Sequence, residues 1–217
     1  MQIFIDTANI DQIRRAAGLG VVSGVTTNPS LLSKEGTGDY ESVVKEICSI
    51  IKGPVSVEVL SEDVDAMVAE ARVKATWAPN VNIKIPITEA GLRATSILAG
   101  ENVKINMTLC FSPNQALLGA LAGATYVSIF VGRLDDAGHD GMQVVEDTIS
   151  ILDNYPDLEA QVIAASIRNP MHVTYAAMAG ADIATVPYGV LMQMIQHPMT
   201  DVGIKRFLAD WKSVARK

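Results

Sequence analysis

Cysteine is scarce: Cys48 and Cys110 are the only two in 217 residues, too few for a disulfide framework, and neither they nor the three histidines cluster at metal-ligand spacing. Both read as buried thiols in a reducing compartment. No metal and no cofactor is expected, since no Gly-rich loop of the nucleotide type occurs and the isolated glycines read as turn residues. Positive charge is also short: 17 Lys and Arg face 24 Asp and Glu, and a net charge of −7 disfavours nucleic acid or an acidic membrane as partner. No apolar run approaches the roughly 18 residues of a bilayer span. The opening MQIFIDTAN has neither a basic n-region nor a long apolar stretch, so a cytoplasmic location is expected. Pro/Gly/Ser-rich linkers and low-complexity blocks are lacking as well, which makes 1–217 a single domain.

What the chain does contain is alternation. Short apolar runs at 2–6, 21–28, 54–60, 81–87, 104–109, 126–131, 161–166 and 182–187 read as strands. Segments of helical periodicity separate them, at 9–17, 40–51, 62–77, 88–99, 113–122, 141–154, 169–179 and 188–196. Eightfold strand–helix alternation predicts an α/β fold, a single (β/α)8 TIM barrel. A doubly wound open sheet is the alternative should one strand fail. A further segment, 201–215, sets Val202, Ile204, Phe207, Leu208, Trp211 and Val214 on one stripe of an extra C-terminal helix. That stripe either closes the bottom of its own barrel or docks on a neighbouring subunit.

Side chains alternate between the barrel interior and the helices. One parity is almost wholly apolar; the other carries Phe4 and Asp6, Ser56 and Glu58, Asn82 and Lys84, then Lys104, Asn106 and Thr108, then Ser128 with Phe130, and ends in strand seven at Ser166. A scaffold barrel fills its interior with Val, Ile and Leu, so this polar set reads as a site. Individually each residue has a structural explanation: Asp6 as a cap for the helix near Asn9, Glu58 paired with Lys104, Thr108 on a backbone group.

Lys84 stands out because VNIKIPI (81–87) is otherwise apolar. Either its stem carries the ammonium to solvent, or it is buried, where loss of hydration favours the neutral, nucleophilic amine. Such an amine adds to carbonyls, and Asp6 or Glu58 would supply the acid and base that imine chemistry at a sugar carbonyl requires. Arg133 follows strand six, and Ser166 with Arg168 follows strand seven just before a helix N-terminus. Arginine suits phosphate through planar, paired donors, so these positions predict a phosphorylated sugar substrate.

Through FIDTAN (4–9), GVTTNPSL (24–31), IKIPIT (83–88), INMTLCFS (105–112), YVSIFVGRLDD (126–136) and ASIRNPMH (165–172), the chain resembles the short transaldolases, whose family includes the fructose 6-phosphate aldolases. The resemblance covers essentially the whole chain. It implies that Lys84 forms the Schiff base and that Asp6 handles the proton of the sugar C4 hydroxyl during bond cleavage. It further implies that Asn28 and Ser128 hold the dihydroxyacetone portion, Glu58 and Thr108 position the catalytic water, and Thr26 and Asn106 line the same cavity. Arg133, Ser166 and Arg168 match the phosphate positions. Similar transaldolases carry Glu and Phe where this chain has Glu58 and Phe130, whereas the aldolases carry Gln and Tyr. The expected reaction is therefore transfer of a dihydroxyacetone unit from fructose 6-phosphate or sedoheptulose 7-phosphate to erythrose 4-phosphate or glyceraldehyde 3-phosphate, in pentose phosphate metabolism. Fructose 6-phosphate aldolase is the alternative on the same machinery, and a non-catalytic sugar-phosphate-binding barrel would need the arginines but no imine. The resemblance also implies a ring-shaped homo-oligomer, pentamer or decamer, contacted through the C-terminal helix. No functional residue is evident in strand eight.

Overall fold

The computed structural model describes residues 1–36 and 39–214. Eight strands, β1 (Gln2–Asp6), β2 (Val22–Thr26), β3 (Val55–Glu58), β4 (Val81–Pro86), β5 (Ile105–Cys110), β6 (Tyr126–Phe130), β7 (Gln161–Ala165) and β8 (Ile183–Val186), pair in parallel and in sequence order to close a barrel. The helices are α1 (Ile10–Gly18), α2 (Pro29–Lys34), α3 (Tyr40–Ile50), α4 (Val64–Ala75), α5 (Glu89–Gly100), α6 (Pro113–Leu121), α7 (Val131–Asp136), α8 (Gly141–Leu152), α9 (Pro170–Ala179), α10 (Tyr188–Ile195) and α11 (Pro198–Val214). The expected (β/α)8 barrel with an extra C-terminal helix is the fold observed.

Helix starts are chemically marked. Asn9, Asn28, Asp39, Asp63, Thr88, Ser112, Asp140 and Asn169 each accept a backbone N–H in the first turn of the helix that follows. Asn9, rather than Asp6, caps α1, which leaves Asp6 for the interior. Two short helices depart from the expected pattern. α2 has a legible signal, Asn28 before Pro29, a cap followed by a first-turn proline. α7 has none: its cap position is Phe130, which makes no side-chain cap bond, so Val131 opens a helix instead of ending a strand.

The main core lies between strands and helices and includes Ile5, Val25, Val57, Ile83, Ile85, Ile105, Val127 and Ile129. Within the barrel the filling is uneven. Phe4, Tyr126, Phe130, Ile163, Ala165 and Ile183 form an apolar plug on the β6, β7, β8 and β1 side. Opposite it, Ser56, Asn82, Lys84, Asn106 and Thr108 are buried polar residues. Gly24 gives the plug its room, because a Cβ there would stand 2.6 Å from the Phe4 ring.

Parity misreads three places. On β7 the inward residues are Ile163 and Ala165, not the positions in phase with Ser166; Ser166 has a left-handed backbone (φ 57°), which breaks the alternation. Leu109 does likewise at φ 59°, where the β5–β6 register shifts, and it packs on the interior plug instead of facing the helices. Lys104 precedes β5 and is exposed, so it is not an interior residue and does not pair with Glu58. Finally, α11 has no buried residue: Phe207 is 74% and Trp211 71% exposed, so its apolar stripe does not close the bottom of its own barrel. Residue 215, the last of the stripe segment, lies outside the described residues.

Candidate active site

Parallel strands put their C-terminal ends at one mouth of the barrel, and there a cavity of about 250 Å³ is lined by side chains from strand ends and the loops that follow. Its floor holds Asp6, Thr26, Lys84, Asn106, Ser128 and Thr185. Lys84 does not reach solvent along its stem; it is 6% exposed, and its Nζ donates to the Thr27 carbonyl at 3.2 Å and lies 3.1 Å from Glu58 Oε2. Register explains the pair: Glu58 on β3 lies directly beside Lys84 on β4, with both side chains pointing inward.

A hydrogen-bonded floor surrounds the amine. Ser128 donates to Asn106 Oδ1 at 2.7 Å, and Asn106 in turn donates to Ser56 Oγ at 3.0 Å. Thr26 donates to Asp6 Oδ1 at 2.7 Å and is also bonded to the Thr185 hydroxyl. Burial raises the Asp6 pKa above the ordinary aspartate value, reinforced by the Glu58 charge and opposed by Lys84 and Thr26. A carboxylate so placed takes up a proton more readily than a solvated one, as a general base requires. Thr108 Oγ1, although buried, has no hydrogen-bond partner among the described residues. Neither thiol lines the cavity, and burial pushes Cys48 up to about 11 and Cys110 to about 12, which keeps both protonated at neutral pH.

The wall is aromatic and the rim cationic. Phe130 sits edge-on to Phe111, with ring centroids 5.7 Å apart, and the Arg133 guanidinium lies 5.0 Å from the Phe130 ring centre. Arg133 lies within the six-residue helix α7 that follows β6 directly. Gly132 donates to the Ser166 carbonyl at 3.1 Å, so α7 and the 166–168 segment meet through backbone. Arg168 pairs with Asp136 at 2.9 Å, and its own N–H donates to His172 Nδ1.

The structure thus brings Asp6, Thr26, Asn28, Lys84, Asn106, Ser128, Phe130, Arg133, Ser166 and Arg168 to one cavity. Glu58 joins through Lys84; Thr108 is buried on β5, two residues beyond Asn106, and is not part of the cavity lining. Ser30, Lys34 and Thr185 also line it and escaped the sequence reading. Recognising α2 from Asn28-Pro29 would have carried the first two to the rim. Thr185 has only its parity with Ile183 to signal it.

Comparison with known proteins follows the same lines. The family model Transaldolase/Fructose-6-phosphate aldolase matches residues 3–217. A protein of Dehalococcoides mccartyi named "Probable transaldolase" is 62% identical over 217 residues, all of both chains. A second of that name, from Desulforudis audaxviator, is 59% identical, again over the whole of both chains. Among solved structures, thiamine phosphate pyrophosphorylase from Pyrococcus furiosus superposes with a TM-score of 0.57 over 86% of this chain and 85% of its own, at 15% identity, a likeness of fold alone. A barrel with a buried lysine–glutamate pair at its mouth, matched over its length by these relatives, belongs to the transaldolase/fructose-6-phosphate aldolase family.

Proposed function

We propose that the protein is a transaldolase that moves a dihydroxyacetone unit between sugar phosphates through a Schiff base on Lys84. The observation that carries this reading is the position of Lys84 Nζ: enclosed, beside a carboxylate, in a cavity whose rim is cationic. Its amine attacks the ketose C2 carbonyl, and loss of water gives an imine. Glu58, beside Lys84 Nζ, serves the water and protons exchanged in that step, and the family resemblance adds Thr108, buried two residues beyond Asn106 on β5, as its partner. The protonated imine draws electrons from the C3–C4 bond while Asp6 accepts the C4 hydroxyl proton, releasing the aldose and leaving a three-carbon carbanion on the enzyme. Asn28, Asn106 and Ser128 are the groups that hold this fragment. Arg133, Ser166 and Arg168, with Lys34 across the mouth, take the phosphate.

Phe130 favours transfer over the alternative, cleavage to free dihydroxyacetone. A phenyl ring has no proton to give the carbanion, so the fragment waits for an acceptor aldehyde. We also propose that the exposed apolar face of α11 packs on another copy of the chain in a cytoplasmic homo-oligomer, with a monomer in light scattering as the contrary result.

Borohydride reduction in the presence of fructose 6-phosphate, followed by intact mass and peptide mapping, tests the imine. Modification confined to the Lys84 peptide is expected, and an unmodified Lys84 would support a non-catalytic sugar-phosphate-binding barrel instead. Ketose consumption that depends on erythrose 4-phosphate separates transfer from simple cleavage.

A further inference from the structure

A second lysine is buried outside the barrel wall. Lys74, in the last turn of α4, is 6% exposed, and its Nζ lies 2.6 Å from Glu70, 4.9 Å from the Tyr40 ring centre and 5.8 Å from that of Trp77. Packing alone does not call for an ammonium there; an apolar side chain would fill the space without desolvating a charge. The purpose of the charge is visible in what else it touches: Lys74 Nζ donates to the Glu58 carbonyl at 2.7 Å.

That carbonyl lacks the partner a closed barrel would give it. Along a strand, backbone polar groups face alternate sides. Val59 N–H donates to the Lys84 carbonyl on β4, and the Ser56 carbonyl accepts from Thr27 on the β2 side, so Glu58 directs its own N–H and C=O toward β2. The β2–β3 ladder has only the pairs Val25–Val55 and Thr26–Ser56, because the chain after Thr27 turns away into Pro29 and α2. The seam is open at the level of the lysine–glutamate pair. Two side chains fill it: the Tyr40 hydroxyl accepts from Glu58 N–H at 3.1 Å, and Lys74 donates to Glu58 C=O. Glu70, which holds Lys74, also accepts the N–H groups of Leu60 and Ser61, fixing the chain that leaves β3.

We infer that Lys74 and Tyr40 are positioning residues for the Lys84 chemistry, standing in for the missing ladder bonds of Glu58 and so holding its carboxylate against Lys84. This rests on the Schiff-base reading above. A catalytic group that drifts by about 1 Å loses roughly a hundredfold in rate, so the seam needs a rigid substitute.

The test uses Tyr40→Phe, which removes one hydroxyl from a ring that stays packed, and the double variant Lys74→Met/Glu70→Gln, which removes the ammonium without leaving a lone carboxylate. Both are compared with the unaltered enzyme by circular dichroism, by steady-state kinetics with fructose 6-phosphate and erythrose 4-phosphate, and by borohydride trapping. Each folded variant is expected to lose about tenfold in kcat, with KM changed by no more than about twofold. A loss confined to kcat with KM held marks a displaced catalytic group and not weakened substrate binding. Unchanged kcat in Tyr40→Phe overturns the inference, whether or not the double variant folds. So does a loss of kcat matched by an equal loss of trappable sites, which is partial unfolding. Absence of trapping in the unaltered enzyme instead defeats the Schiff-base reading itself, a distinct result.

Discussion

Gly132→Ala isolates the phosphate rim from the imine chemistry. Gly132 has no left-handed backbone, so an added methyl costs only what it meets, and it meets the Ser166 carbonyl oxygen at 2.2 Å and Arg168 at Cγ and Nε, both 2.6 Å. Arg168 can swing away, but the carbonyl is backbone, and relief requires α7 and the 166–168 segment to part by about 1 Å or more. That breaks the 3.1 Å bond from Gly132 N–H to the same carbonyl. Overpacking of this kind costs about 1–3 kcal/mol, which in a domain of this size lowers the melting temperature by roughly 3–10 °C. The two arginines move with their segments. Each hydrogen bond from a guanidinium to phosphate is worth about 1.5–3 kcal/mol, so KM for fructose 6-phosphate should rise roughly 10–100-fold. Dihydroxyacetone, which has no phosphate, should still be trapped on Lys84 at an apparent affinity within about threefold of the parent protein. The paired assay is the KM of the sugar phosphate against borohydride trapping of dihydroxyacetone. Equal losses in both, or a lowered melting temperature with an unchanged KM, would refute the assignment of this rim to phosphate.

Further outcomes follow from single side chains. Asp6→Asn keeps the acceptor for Thr26 but not the base, so kcat should fall by about 10²–10⁴. Because burial raises the folded Asp6 pKa above 3.8, the folded state holds the proton more tightly than the unfolded chain does, and the stabilising share of the protonated side chain is complete below 3.8 and lost as pH rises through the raised value. The Asn variant should accordingly gain in melting temperature relative to the parent protein as the pH of the scan is raised from about 4 to 8, and a constant or opposite difference would contradict the burial argument. Phe130→Tyr adds a hydroxyl at a cavity-lining ring and should convert part of the turnover to acceptor-independent release of dihydroxyacetone, measured by omitting erythrose 4-phosphate. Unchanged acceptor dependence would remove residue 130 from the choice between transfer and cleavage.

Most of this site was legible because a barrel strand carries its own coordinate. Regular alternation alone assigns Lys84, Glu58, Asn106 and Ser128 to the interior, and the folded barrel holds them there. Alternation failed where the backbone departs from it: Ser166 and Leu109 adopt positive φ, a conformation that no residue type at those positions announces. Thr185 shares its strand with apolar residues and gains significance only from Thr26, 159 positions earlier in the chain. Lys34 reaches the rim on a helix of six residues, too short for periodicity to register.

Eight alternating strands and helices, their caps and the polar parity of β3 to β5 follow from local preferences, and those are written residue by residue in the chain. Which of the buried charges meet is a different matter. Lys84 opposite Glu58 instead of Lys104, Lys74 at the open β2–β3 seam, and an α11 that covers nothing of its own barrel depend on register and closure. Those are properties of the whole sheet, settled by packing between segments far apart in the chain.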